Sequence, residues 1–147
     1  MRVSVFVSGC RNHCKGCFNS ETWSFNYGQP FTEDTVEDIL EALSPSYISG
    51  LSVLGGDPFE PENIGAVTEL CKRVRAERPE LTIWVYTGYL YENLSHLEIF
   101  DYIDVLVDGP FVESKRNLML RFRGSENQRI IDIPTTRRVG EVVFVES

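Results

Sequence analysis

The chain alternates short apolar runs with longer stretches of helical periodicity. Residues 3–7 (VSVFV) are β-rich and predict a first strand. A cysteine-bearing loop runs from there to about Trp23, and SFNYGQPF at 24–31, with Gly28 and Pro30, reads as a connection. Thr32 suits a helix N-cap, with Glu33 and Asp34 in the first turn, where negative charge meets the positive end of the helix dipole. Val36, Ile39, Leu40 and Leu43 then recur at helical spacing, and Pro45 and Gly50 end the pattern. LSVL at 51–54 predicts a second strand, followed at once by GGDP. Pro61 opens a second helix with Ile64, Val67, Leu70, Cys71 and Val74 on its apolar stripe, and Pro79 stops it. TIWVY at 82–86 is a third strand, followed by TGY. Residues 91–100 form a weaker helical pattern, and IDVLV at 103–107 is a fourth strand, followed by DGPF. Beyond it LMLRF (118–122), RIIDI (129–133) and EVVFV (141–145) each read as a strand between turn residues.

Strand and helix thus alternate at least three times, and the strands are continuous apolar runs. That pattern predicts an α/β fold with a mostly parallel sheet covered by helices. No repeat, low-complexity segment or linker interrupts it, so one domain over residues 1–147 is expected. A full barrel of eight strand–helix units takes about 250 residues. This chain has room for roughly half of one, which predicts a partial, open β/α barrel. Each strand ends in a small or polar cluster: SGC, GGD, TGY and DGP. Ligands of α/β folds bind outside the carboxyl ends of the strands, so these clusters are expected to converge on one site.

Composition narrows the function classes. Hydrophobic residues make up 42% and charged residues 24%, as in a soluble globular protein. The longest apolar runs are too short to span a bilayer, and the N-terminus lacks the features of a secretory signal, so a cytoplasmic protein without a membrane partner is expected. Net charge is −8, with 22 acidic against 14 basic residues. Such a chain lacks the positive surplus that neutralising a phosphate backbone requires, and nucleic acid is not an expected partner. The basic residues of the last third, Lys115, Arg116, Arg121, Arg123, Arg129, Arg137 and Arg138, read as a solvated face.

The cysteines change the picture most. Cys10, Cys14 and Cys17 form C-x3-C-x2-C in one loop, a pattern that in a reducing compartment favours metal over disulfides. Thiolates select zinc, copper(I) or iron–sulfur clusters. A structural zinc site is closed by four ligands, and the candidates for a fourth are His13 and Cys71. Cys71 falls on the apolar stripe of the second helix and reads as a small buried hydrophobe. A four-iron cluster held by three cysteines leaves one iron open, as a catalytic metal site does for its substrate or cofactor. Zinc completed by His13 is the competing reading.

C-x3-C-x2-C after a first strand, with glycine-rich strand ends behind it, resembles the radical S-adenosylmethionine superfamily. More narrowly, VFVSGC, C-x-GCFN-x-x-T-W, GQPF, GGDPF-x-P-x-N, IWVYTGY, DVLVDGPF and RGSENQRIID, in this order from Arg2 to about Ile133, resemble the activating proteins of anaerobic ribonucleoside-triphosphate reductase. Gly16 stands where the superfamily often has an aromatic residue, and Phe18 follows the last cysteine. The activating proteins usually carry a further segment, ending in a GPGTR-like stretch, ahead of the first strand. This chain starts at what resembles the Arg of that stretch, so either a short N-terminal segment is absent or the protein is unusually compact.

The resemblance implies a radical S-adenosylmethionine fold and a 4Fe-4S cluster on Cys10, Cys14 and Cys17. S-adenosylmethionine would chelate the open iron through its amino and carboxylate groups, and reduction would cleave it to a 5′-deoxyadenosyl radical. It implies that Gly16, Cys17 and Phe18 touch the cofactor near the cluster. Gly55, Gly56 and Asp57 would hold its methionine amino group, Thr87 and Gly88 would line its ribose or methionyl part, and Asp108 would anchor the amino group from the other side. Each has an ordinary reading beside it: a strand-to-helix turn for GGD, turn residues for Thr87 and Gly88, a turn-forming Asp-Gly pair for Asp108. Trp23, Trp84, Tyr86 and Tyr89 read as core or rim packing. No general base is assigned, since the radical itself removes hydrogen. The implied partners are the large reductase subunit, whose C-terminal glycine becomes a glycyl radical, and an electron donor such as a flavodoxin. The alternatives are a small-molecule enzyme resembling 7-carboxy-7-deazaguanine synthase and a zinc-binding adaptor without catalysis.

Overall fold

In the computed structural model, which describes residues 2–7, 33–55, 57–109 and 128–145, β1 (Arg2–Val7), β2 (Gly50–Gly55), β3 (Thr82–Tyr86) and β4 (Val105–Asp108) lie side by side in chain order and run parallel. β5 (Arg129–Asp132) pairs antiparallel with β4 at the far edge. The described helices are α1 (Glu33–Ala42), α2 (Pro61–Glu77), α3 (Tyr91–Leu94) and α4 (Ile133–Val139), with a 3₁₀ turn at Glu98–Asp101. The fold is α/β with a five-stranded, mostly parallel sheet, as the alternation of patterns predicts. Among the described residues no helix is long and apolar enough to cross a membrane.

Side chains alternate across a strand, so register decides which residues share a face. Leu51, Val53, Ile83, Val85, Leu106 and Ile131 share one face and are fully buried. They form one core with Val36, Ile39 and Leu43 of α1 and Val67, Leu70, Cys71 and Val74 of α2. Burying each such aliphatic side chain stabilises the fold by about 1.5–3 kcal/mol. Cys71 is fully buried in this core and its pKa is pushed up to about 12 by desolvation, so it stays a neutral thiol.

The opposite face is polar at β1 to β3, where Arg2, Ser4, Ser52, Thr82 and Trp84 sit in adjacent rows. The Arg2 guanidinium spans three strands: Nε donates to Ser52 Oγ (3.0 Å), Nη1 to Thr82 Oγ1 (2.6 Å), and Nη2 to the carbonyls of Leu51 (2.7 Å) and Thr82 (3.0 Å). It also lies over the Trp84 ring at 5.5 Å. The guanidinium reaches Thr82 by passing over Gly50. A Cβ there would overlap the Thr82 carbonyl oxygen and Arg2 Nη1, so only glycine fits that position.

Three segments differ from the sequence pattern. Residues 91–100 are not one helix. α3 stops at Leu94, Leu97 is extended, and the 3₁₀ turn then carries Ile99 and Phe100 into the core, where Phe100 stacks on Phe59 at 5.7 Å. Burial of those two side chains overrides the weak helical periodicity. The strand read at 129–133 ends at Asp132, because its side chain accepts from Thr135 N (3.0 Å) and caps α4, with Pro134 in the first turn and Gly140 as the left-handed C-cap at φ 82°. EVVFV at 141–145 then makes only an isolated antiparallel bridge, Phe144 to Ile131. LMLRF at 118–122 lies outside the described residues.

Two glycine substitutions separate close approach from helix propensity. Gly50→Ala forces backbone apart in mid-sheet and is expected to destabilise by about 1–3 kcal/mol, the usual cost of overpacking. Gly65→Ala, in the interior of α2 with nothing within 4 Å of the added Cβ, is expected to stabilise by up to about 1 kcal/mol. Urea unfolding of both variants measures the pair; equal effects of one sign contradict this account of the sheet.

Candidate functional site

The parallel register sets the four strand ends next to one another. Val7, the last residue of β1, pairs with Gly55, the last of β2. Cys10 follows Val7 by only three residues in the sequence, and Gly55 opens GGD. Cys10, Cys14, Gly16, Cys17, Phe18, Trp23 and Gly56 themselves lie outside the described residues. Among the described residues no group of three or more His, Cys, Asp or Glu side chains is placed to hold a metal.

Asp57, Thr87 and Gly88 are brought together. The Asp57 side chain is fully buried. Its Oδ1 accepts from Phe59 N (2.9 Å) and Thr87 Oγ1 (2.8 Å), and its Oδ2 from Gly88 N (2.8 Å) and the same Thr87 hydroxyl (3.0 Å). One carboxylate therefore links the turn after β2 to the turn after β3. Thr87 is held in addition by its own N–H to Val107 O (2.9 Å), and its hydroxyl accepts from Tyr89 N (3.1 Å). Asn63 Nδ2 donates to the Asp57 carbonyl (2.8 Å), which gives the asparagine of GGDPF-x-P-x-N its place.

Asp108 stands at the fourth strand end, also fully buried, and engages a different set of donors. Arg129 grips it with two bonds, Nε to Oδ1 at 2.9 Å and Nη2 to Oδ2 at 2.5 Å, and Tyr91 N donates to Oδ2 at 2.8 Å. The antiparallel register of β5 sets Arg129 directly opposite Asp108. Arg129 also holds the exposed Glu92 at 2.6 and 3.1 Å, and hydrogen bonding to Asp108 and then Glu92 raises its pKa further. The preceding Gln128 donates to Gly109 O (3.0 Å), so Gln128 and Arg129 both close on the Asp108–Gly109 pair. Gly109 sits at φ 96°, a conformation that favours glycine.

Sequence reasoning missed Glu60, Arg129 as a partner, and Arg75. Glu60 is fully buried, and its carboxylate accepts from the Tyr89 hydroxyl. A Glu just ahead of Pro61 reads as a solvated charge at a helix start, and nothing local marks it otherwise. Arg75 binds the carbonyls of Tyr102 (2.8 and 3.0 Å), Pro79 (3.0 Å) and Leu81 (3.0 Å), and Asp104 Oδ2 (2.5 Å), at the amino ends of β3 and β4.

Desolvation raises the Asp57 pKa to about 6, against the partial relief that its Gly88, Phe59 and Thr87 donors provide; Glu60 nearby raises it further. A carboxyl whose folded pKa lies above its unfolded value favours folding most when protonated, and that contribution is lost as pH rises through 6. Relative to Asp57→Asn, whose amide oxygen can still accept, the wild-type chain is expected to lose about 1 kcal/mol of stability between pH 5 and 7.5. Parallel urea titrations of the two proteins across that range measure it; a constant difference contradicts the buried-carboxylate reading.

The chain matches the family model described as "4Fe-4S single cluster domain" over residues 1–131. It is similar to curated proteins named anaerobic ribonucleoside-triphosphate reductase-activating protein. It is 43% identical over 129 residues to that of Enterobacteria phage T4, covering 88% of this chain and 82% of the relative. It is 44% identical over 131 residues to that of Escherichia coli K12, covering 86% and 85%, and 44% identical over 133 residues to that of Vibrio cholerae, covering 88% and 86%. No solved structure matches the chain. With a 4Fe-4S domain model spanning most of its length and relatives of one name matched nearly end to end, the chain belongs to the family of anaerobic ribonucleoside-triphosphate reductase-activating proteins.

Proposed function

We propose that this chain is a radical S-adenosylmethionine enzyme, a single domain built as an open β/α barrel, that generates the glycyl radical on anaerobic ribonucleoside-triphosphate reductase in the cytoplasm. The observation that carries the reading is the register of Val7 with Gly55: C-x3-C-x2-C begins three residues after Val7 in the sequence, and GGD begins at Gly55. Three thiolates so spaced suit a four-iron cluster that keeps one iron open to a ligand. S-adenosylmethionine bound there would, on one-electron reduction by a donor such as a flavodoxin, supply a 5′-deoxyadenosyl radical and release methionine.

The chain's own residues bind, orient and exclude water. Cys10, Cys14 and Cys17 hold the cluster. Gly16 and Phe18, the sequence neighbours of Cys17, would touch the cofactor near the cluster. Gly55 and Gly56 carry no Cβ, so the ligand's amino group can approach backbone there. Asp57 fixes that turn against Thr87 and Gly88, which would line the ribose or methionyl part. Asp108 borders the amino group from the fourth strand end, and Arg129 fixes its orientation. A loop of the reductase closes the site and presents its glycine.

Anaerobic reconstitution tests the assignment. The protein is expected to bind about four irons with sulfide and, with reductant, S-adenosylmethionine and the reductase, to yield a glycyl-radical signal by electron paramagnetic resonance. One colourless zinc, or no radical signal from a cluster-loaded protein, contradicts it. Cys10→Ala, Cys14→Ala and Cys17→Ala are each expected to lower 5′-deoxyadenosine formation by more than roughly 100-fold, beyond the loss of a supporting contact. Cys71→Ala is expected to keep it, since that thiol lies in the core on α2.

A further inference from the structure

Glu60 occupies the N-cap position of α2, where a carboxylate could bond the free N–H groups of the first turn. Its side chain makes no such bond. It turns inward, fully buried, and accepts from the hydroxyl of Tyr89, 29 residues further along the chain. Its backbone serves the helix instead, with Asn63 N (2.8 Å) and Ile64 N (2.9 Å) donating to its carbonyl. A buried carboxylate is costly to keep, and an apolar pair would fill the same space at less cost. What an apolar pair lacks is direction.

Tyr89 is bonded toward three strand ends at once. Its hydroxyl reaches Glu60 behind β2, its N–H donates to Thr87 Oγ1 (3.1 Å) at the end of β3, and its carbonyl accepts from Gly109 N (2.8 Å) at the end of β4. Thr87 in turn holds Asp57. We infer that Glu60 and Tyr89 are positioning residues, which set the spacing of the second, third and fourth strand ends and so the shape of the surface that receives S-adenosylmethionine. The inference rests on the proposed function for the identity of the ligand, and on geometry alone for the coupling of the turns.

Two measurements on the cluster-loaded full chain test it. In steady-state S-adenosylmethionine cleavage, Tyr89→Phe and Glu60→Ala are expected to raise KM about tenfold, the range in which supporting contacts act, with kcat and iron content held. Glu60→Gln, whose amide oxygen still accepts from the hydroxyl, restores KM, and Tyr89→Phe with Glu60→Ala is no worse than either alone. In hydrogen exchange without S-adenosylmethionine, Tyr89→Phe speeds exchange of the Gly88 amide about tenfold and leaves the core amides of Val85 and Leu106 unchanged. An unchanged Gly88 rate, or equal acceleration in the core strands, overturns the inference. A wild-type protein that binds its cluster but never cleaves S-adenosylmethionine overturns the proposed function instead, and the exchange rates then decide the coupling by themselves.

Discussion

Parallel strands hydrogen-bond along their lengths, but beyond their last residues the backbone has no ladder to hold it. The Asp57 carboxylate takes over that task. It gathers Phe59 N, Thr87 Oγ1 and Gly88 N from two turns that no strand pairing connects. A neutral amide in its place has one acceptor oxygen, and an apolar residue would leave buried donors without partners, at about 1–3 kcal/mol each. The cost is the desolvation that raises the carboxyl pKa to about 6. Arg75 performs the matching task at the amino ends of the strands, where it ties α2 to the approaches to β3 and β4. The sheet is thus clamped by side chains at both ends.

The two faces of the sheet divide the work. One is an aliphatic core shared with α1 and α2 and accounts for most of the burial. The other is polar at β1 to β3, spanned by Arg2 above Gly50. At the carboxyl edge the buried charges are paired within the frame: Asp57 with its three donors, Asp108 with Arg129, Glu60 with Tyr89. Such satisfied polar networks rigidify a site, which suits the ligand-orienting role proposed for this edge.

Much of this was legible in the sequence because it is local. TIWVY is β3 residue for residue, and Pro61 does open α2. That Asp57, Thr87 and Gly88 meet was legible too, because a parallel α/β sheet brings the carboxyl ends of its strands to one edge. What escaped depends on contacts distant in sequence. The antiparallel register that sets Arg129 against Asp108 has no local signal, and neither has the inward turn of Glu60. The helix at 133–139 is a different case. Asp132, Pro134 and Gly140 are ordinary start and stop signals, outweighed in the reading by the β-branched run before them. The weak pattern at 91–100 failed because Ile99 and Phe100 are drawn into the core, and tertiary burial outweighs periodicity there.

The central claim is that the strand-end frame borders a cluster with one iron reserved for a small-molecule ligand. Mössbauer spectroscopy of the iron-loaded protein, with and without S-adenosylmethionine, tests it most directly. The account predicts a 4Fe-4S spectrum in which one iron alone changes its parameters when S-adenosylmethionine is added. A spectrum indifferent to S-adenosylmethionine, or a protein that takes up zinc in place of the cluster, would contradict it.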